Sequence, residues 1–370
     1  MTHAIGIDIR MIRHTGIGTY VRGLLENWLE SGITKDLDLA VFGQGQSAER
    51  FSTLPRYPFR SRIYSMEEQL EYPLRLAHCR LWHAPHYNVP FMKWKTKLVV
   101  TIHDLIHWVF RKDFFTPLQA FYAKTMFERA VKEADHVIAV SQRTRDDLVE
   151  YFNADPDRIS VIYEGVHETF RELKAAPVVT GVREKYQVPE TYFIFVGSLK
   201  PHKNVLWLIR LFEKLKRDQK IDAALVLVGK KDSHYPKGYE DLASFEKREG
   251  MVHIPYVEEE ELVALYNGAL ALIHPSLYEG FGLTLIEAMA CGTPVIACRS
   301  ASVPEVVGHA AYLVDSCAER DMAEAIVRVE KFPNLREELK RKGRARAQQF
   351  RWEEAAAKTA EVYERVLSSS

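Results

Sequence analysis

The chain has 370 residues, more than one hydrophobic core usually serves, so two domains are expected. Hydrophobic residues make up 47% and charged residues 27%, as in an ordinary soluble globular protein, which argues against disorder and fibrous repeats. The 50 basic residues balance 50 acidic ones, so overall charge gives a nucleic-acid partner no support, although a local basic pocket for a diphosphate stays open. The four cysteines, Cys79, Cys291, Cys298 and Cys317, show neither C-x-x-C nor zinc-ligand spacing and are expected to be buried, reduced thiols of a cytosolic protein. No signal peptide is expected, because the strand-like run 5–9 contains Asp8 and no apolar h-region follows it. No apolar run approaches the roughly twenty residues that cross a bilayer, so any membrane contact is expected to be peripheral.

Residues 4–9 read as a buried first strand, followed by a loop over 10–19 and a helix from near Tyr20, with Val21, Leu24, Leu25 and Trp28 at helical spacing. The loop ends in Gly-Ile-Gly-Thr-Tyr at 16–20. This opens a Rossmann-like unit without the G-x-G-x-x-G dinucleotide fingerprint. Further strands are expected at 38–42, 81–83, 98–102, 136–140 and 160–162, alternating with helices clearest at 116–133 and 144–152. Such alternation predicts a parallel sheet covered on both faces, with ligands beyond the carboxyl ends of its strands. That rule directs attention to residues 83–86, to His103 and Asp104, and to residues 164–166. His83, His86 and His107 read as satisfied polar residues of a cleft rim. Residues 90–97 and 108–115 mix aromatic and basic side chains, and leave both core packing and a lipid-linked or anionic acceptor open.

Between about 170 and 191 the composition becomes mixed, marking a linker. A second alternating series follows, with strands expected at 192–196, 224–228, 252–254, 269–273, 295–297 and 311–314. Gly229 and Lys230 end one of these strands, and residues 254–257, with Tyr256 and Val257, are expected to wall a nucleotide base. The last segment, from residue 350, reads as an amphipathic helix.

The stretch 274–294 is the most informative. Its apolar run at 269–273 leads into a loop rich in Pro, Ser and Gly and then into strong helix formers over 283–290. Backbone amides of Phe281, Gly282 and Leu283 at the start of that helix are expected to face a phosphate. Gly280 and Gly282 allow a close approach of the backbone to a ligand, and Gly292 with Pro294 stops the helix. Glu279 in the loop and Glu287 one turn into the helix, seven residues between them, add two carboxylates.

Glu-Gly-Phe-Gly at 279–282, followed by Glu-Ala-Met-Ala-Cys-Gly-Thr-Pro-Val-Ile from 287, resembles the signature of the retaining glycosyltransferases of family four. The resemblance implies an α/β protein of GT-B architecture, with two Rossmann-like domains facing a central cleft and a C-terminal helix crossing back to the first. The expected divisions are 1–172 for acceptor binding, 173–348 for the nucleotide sugar, and 349–370 for the returning helix. It implies that Gly16 and Gly18 face the donor diphosphate, with a plain strand-to-helix turn as the alternative. It gives His103 a hydrogen bond to the donor sugar, the alternative being a structural histidine held by Asp104. Gly197 and Ser198 open a turn in which Lys203 matches the family's diphosphate-binding lysine. Ser198 stands where an arginine is usual, and Lys200 is offset by two residues from that place. Glu279 is implied to face the sugar hydroxyls and Glu287 the ribose.

His103, Glu279 and Lys203 are therefore the expected catalytic residues. The reaction expected is metal-independent transfer of a hexose with retention, with no cofactor, from GDP-mannose first or UDP-glucose or another UDP-hexose otherwise. The acceptor is a glycan or lipid-linked sugar in polysaccharide synthesis. The expected place is the cytoplasm, with peripheral contact at the inner face of the membrane left open. A nucleotide-sugar-binding protein without transfer activity, favoured by Ser198, and a nucleotide-sugar epimerase or sugar phosphorylase are the other readings.

Overall fold

Runs of β-branched and aromatic residues without polar alternation form strands whose two faces are both covered, and Tyr192–Val196 and Ala224–Val228 are such runs, buried at every position. The computed structural model describes residues 3–34, 36–44, 51–92, 94–174, 176–231, 248–315 and 318–369. Its contacts divide the chain into two units, Met1–Gly165 with Arg351–Ser370, and Val166–Phe350.

In the first unit the described strands are β1 (His3–Asp8), β2 (Leu39–Phe42), β3 (Arg56–Tyr57), β4 (Cys79–Ala84), β5 (Lys97–Ile102), β6 (His136–Ala139) and β7 (Ile159–Val161). They form one sheet in the order β3-β2-β1-β4-β5-β6-β7, parallel throughout, with Ile5 of β1 opposite Leu39 on one side and Leu81 on the other. In the second unit β8 (Tyr192–Val196), β9 (Ala224–Val228), β10 (Met251–Ile254), β11 (Ala271–His274), β12 (Val295–Cys298) and β13 (Tyr312–Val314) give the order β10-β9-β8-β11-β12-β13, again all parallel. Each sheet therefore reverses its strand order once, beside β1 and β4 in the first unit and beside β8 and β11 in the second. Side chains at these switch points open beyond the carboxyl ends of the strands.

The expected strands coincide with the observed ones to within a residue or two. β11 starts at Ala271, not at Ala269, because the Ala269 amide still donates to Tyr266 O and ends the preceding helix. Among the elements that the sequence reading did not place are β3 and the helix Met66–Leu76. The helix carries Pro73 in its interior and buries Glu68, Tyr72 and Leu76 while exposing Met66, Leu70 and Leu74, so its apolar periodicity marks the wrong face.

The division between units falls after Gly165, where the sequence places it after Glu172. Val166 donates its amide to Phe350 O at 3.1 Å, Glu172 pairs with Arg344, and Leu173 donates to Asn267 Oδ1 at 2.8 Å, so residues 166–173 are tied to the second unit. The C-terminal helix Trp352–Ser368 belongs to the first unit. Trp28 Nε1 donates to Ala356 O at 3.0 Å, and Trp352 lies where any Cβ on Gly23 would come within 2.3 Å of its ring. Cys79 and Cys291 are free and buried, but Cys298 is disulfide-bonded, against the expectation of reduced thiols; Cys317 lies outside the described residues. No helix among the described residues is long and apolar enough to cross a membrane.

Candidate active site

The switch point of the second unit gathers most of the expected donor residues. β8 ends at Val196 and continues into Gly197 and Ser198, β9 into Gly229 and Lys230, and β11 into the loop that carries Glu279. Gly197 and Gly229 are needed by the backbone. Both have positive φ, 146° and 143°, and a Cβ on Gly229 would sit 2.0 Å from Gly197 O. The turn Pro201–Lys203 is fixed by Leu277, whose amide donates to His202 O at 2.8 Å, and this brings Lys203 against the β11 loop. Lys203 Nζ donates to both oxygens of Glu279, at 2.7 and 2.9 Å.

That ion pair is nearly enclosed, with the lysine side chain 18% and the glutamate 9% exposed. Burial is the largest influence on Glu279 and favours the neutral acid. The Lys203 charge, the neighbouring His274 and the more distant His202 oppose it and win, holding the carboxyl well below its ordinary 4.5. Glu279 is thus an anion at neutral pH, and Lys203 is its chief counter-charge.

The helix Leu283–Ala290 starts beside this pair. Its N-cap is Gly282, in the left-handed region at φ 105°, with no side-chain cap and no acid in the first turn. Buried Ser302 holds the loop by donating to Glu279 O at 2.9 Å and Phe281 O at 3.0 Å. Glu287, one turn on, is half-buried and receives a hydrogen bond from Tyr266 at 3.3 Å. Uncapped amides and a lysine at a sheet switch point make an anion site of the kind a diphosphate fits. Lys200 is exposed at the start of the Pro201–Lys203 turn, and Ser198 is half-buried. Tyr256, just past β10, is 60% exposed, donates to Glu258 and lies under Lys230 at 5.8 Å; Val257 is half-buried.

Three polar groups here had no assigned role in the sequence reading. His274, 1% exposed at the end of β11, has neither ring nitrogen hydrogen-bonded, although Nε2 lies 3.1 Å from Glu279 Oε1. Ser276 Oγ is likewise buried without a partner, and Ser302 is the loop holder. A histidine at the head of a motif gives no sign in sequence that the fold sets it beside Glu279.

Gly16, Gly18 and His103 lie in the first unit. Gly16, at φ 73°, precedes the helix Ile17–Ser31, and Gly18 has a packing reason, since its Cβ would fall 2.4 Å from Ile12 O. His103 ends β5 with both ring nitrogens engaged: Nε2 with Pro85 O and Nδ1 with Glu164 Oε1, each at 3.1 Å. Asp104 does not hold it; that carboxylate accepts from the Ile106 amide. Nor does His83 sit on a rim. It is fully buried between Tyr363 and Thr101, at 2.6 and 2.8 Å, and burial followed by the nearby His103 pushes its imidazole down to about 3. His86 is half-buried 3.2 Å from Tyr64 OH, and the His107 ring lies 4.6 Å from that of Phe115. Among the described residues no three His, Cys, Asp or Glu side chains are grouped to hold a metal ion.

The family model described as Glycosyltransferase Family 4 matches residues 14–170, and that of Glycosyl transferases group 1 matches residues 182–346. The chain belongs to this glycosyltransferase family. The glycosyltransferase is 28% identical over 291 residues to O-antigen chain mannosyltransferase B of Escherichia coli, covering 76% of this chain and 74% of that protein. To O-antigen chain mannosyltransferase RfbU of Salmonella typhimurium it is 29% identical over 272 residues, covering 74% and 71%. Its fold is that of a sucrose-phosphate synthase from Thermosynechococcus elongatus, with a TM-score of 0.78 across the full length of both chains at 20% identity. Two parallel-sheet Rossmann-like domains of this kind are the GT-B fold.

Proposed function

We propose that this glycosyltransferase moves mannose from GDP-mannose, with retention of configuration and without a metal ion, to a glycan or lipid-linked acceptor in polysaccharide synthesis. The observation that carries the donor half is the enclosed Lys203 ammonium beside the uncapped start of the helix Leu283–Ala290. A departing diphosphate needs cations and amide donors already in place, and these supply both. Mannose is favoured by the similarity to the two O-antigen mannosyltransferases. In this reading Gly197, Ser198, Lys203 and residues 280–283 receive the diphosphate, Gly229, Lys230, Tyr256 and Val257 the base, and Glu287 the ribose. Glu279 faces the sugar, the leaving phosphate takes the acceptor proton, and Gly16, Gly18 and His103 keep the roles that the family resemblance gives them.

Offering the purified chain a panel of nucleotide sugars tests this. GDP release from GDP-mannose in the presence of acceptor extract, undiminished by EDTA, is expected. UDP release from UDP-glucose with GDP-mannose inert would move the donor assignment, and loss on chelation restored by magnesium or manganese would end the metal-free one. Binding without turnover, or a changed sugar without transfer, would replace the reaction itself.

A peripheral membrane contact belongs to the same reading. Met66, Leu70 and Leu74, on one face of their helix, are between 62% and 78% exposed, and Phe91 and Met92 join them through the Phe91 amide, which donates to Gln69 Oε1 at 2.7 Å. Nearby Lys95, Lys97, Lys132 and Arg158 outnumber Glu133 and Asp135 around one pocket, a pattern suited to an anionic bilayer; Lys93 lies outside the described residues. Vesicles containing phosphatidylglycerol should sediment the protein where pure phosphatidylcholine does not. Leu70→Ser with Leu74→Ser should weaken that binding roughly tenfold or more. Equal binding by this variant would remove the stripe from the contact.

A further inference from the structure

The Lys203–Glu279 pair poses a problem for the proposed donor site. Two of the three Lys203 N–H groups are taken by the oxygens of Glu279, which leaves one to meet the diphosphate. If Lys203 turned away with nothing in its place, a carboxylate only 7% exposed would lose its chief partner, and an unpaired buried anion is costly. The fold places one group to prevent this. His274 Nε2 is 3.1 Å from Glu279 Oε1, close enough to help depress its pKa, yet outside hydrogen-bond alignment. The ring is almost wholly buried.

We propose that His274 is a positioning residue that receives Glu279 when the diphosphate takes Lys203. In the free enzyme Glu279 is the acceptor for Lys203. In the donor complex the Lys203 N–H groups point to phosphate oxygens, the carboxylate realigns by a small rotation, and His274 Nε2–H becomes its donor. The exchange lets the site keep a neutralised lysine before the donor arrives and a held carboxylate afterwards. No bond other than hydrogen bonds is made or broken. The inference rests on Lys203 being a phosphate ligand, as proposed above.

The test is GDP affinity, by calorimetry, in two backgrounds. His274→Leu, which fills the space without a donor, should weaken GDP binding roughly tenfold or more, while His274→Gln, whose side-chain amide can replace the Nε2–H, should recover most of it. In a Glu279→Gln background there is no anion to hold, so His274→Leu should change GDP affinity less than about twofold. Equal losses in both backgrounds would make His274 a direct ligand contact and overturn the handover. No loss in either would overturn it too. If Lys203→Met leaves GDP affinity unchanged, the phosphate role of Lys203 has failed, which is a different result from a silent His274. Should the leucine variant not fold, the unaltered enzyme labelled with 15N-histidine gives a second reading. One buried Nε2–H signal should move downfield on adding GDP, and no moving signal would end the proposal.

Discussion

Glu279→Gln is expected to lower kcat by about ten- to a hundredfold while GDP binding becomes tighter, by up to about tenfold. The two effects have opposite signs for one reason. Lys203 donates to both carboxylate oxygens in the free enzyme, so the glutamate competes with phosphate for the ammonium, and a neutral amide of the same size competes far less. The sugar, by contrast, becomes cationic only as the bond to the leaving group stretches, and a carboxylate near it helps only then. An interaction made in the transition state alone changes kcat without changing ground-state affinity in step. Steady-state rates with GDP-mannose and calorimetry with GDP separate the two. A variant with full kcat would take Glu279 out of the chemistry, and weaker GDP binding would mean that its main task is to orient Lys203. Glu287→Gln serves as a contrast, since its half-buried carboxylate lies one turn along the helix with Tyr266 as a partner.

How much of this was legible depended on the range of the interaction that decided it. β8 and β9 could be placed to the residue because five consecutive buried apolar positions leave a chain no other arrangement in a two-faced sheet. The bounds of the helix Leu283–Ala290 were set locally too, by Gly282 before it and by Gly292 with Pro294 after it. The helix Met66–Leu76 was not legible. Its buried face carries Glu68, whose carboxylate is held by Arg10 and Asn88, 58 and 20 residues away, as well as by Tyr64 and Tyr72, and the local sign of its start, Ser65 capping the Glu68 amide, does not show which face is buried. The same limit applies at the candidate site. The family resemblance brought Lys203 and Glu279 forward as ligands, but their pairing with each other needs the Pro201–Lys203 turn packed on the β11 loop. Glu164 as the partner of His103 joins positions 61 residues apart, whereas Asp104, the neighbour in sequence, accepts from the Ile106 amide instead.

Lys203→Met should produce the largest combined loss, in affinity and in stability. Hydrogen bonds from a charged donor to a phosphate are worth about 1.5–3 kcal/mol, so GDP affinity should fall by roughly ten- to a hundredfold. Removing one member of an enclosed ion pair strands the other, at a cost of about 3–5 kcal/mol when burial is complete and less here, because the lysine side chain is 18% exposed. The pH dependence gives the sign. In the unaltered protein burial raises the Glu279 pKa, but Lys203 and His274 depress it further than burial lifts it, so the folded value lies well below the unfolded 4.5. The pair therefore stabilises the protein above about pH 4.5, and that contribution disappears as pH falls through the lower, folded value. Without Lys203 the burial effect is left facing only the weaker histidine influences, and the folded pKa rises. The variant should then lose stability as pH increases through the region just above 4.5, where the unaltered protein has already gained its full contribution from this group. Thermal melts from pH 4 to 7 should show the gap between variant and parent widening with pH, by several degrees in Tm. Adding Glu279→Gln to Lys203→Met should close most of that gap, since the stranded charge is gone, while GDP affinity stays low because no ammonium remains to meet the phosphate. A gap that does not depend on pH, or that the second substitution fails to narrow, would mean that Lys203 stabilises the fold by packing and not by neutralising Glu279.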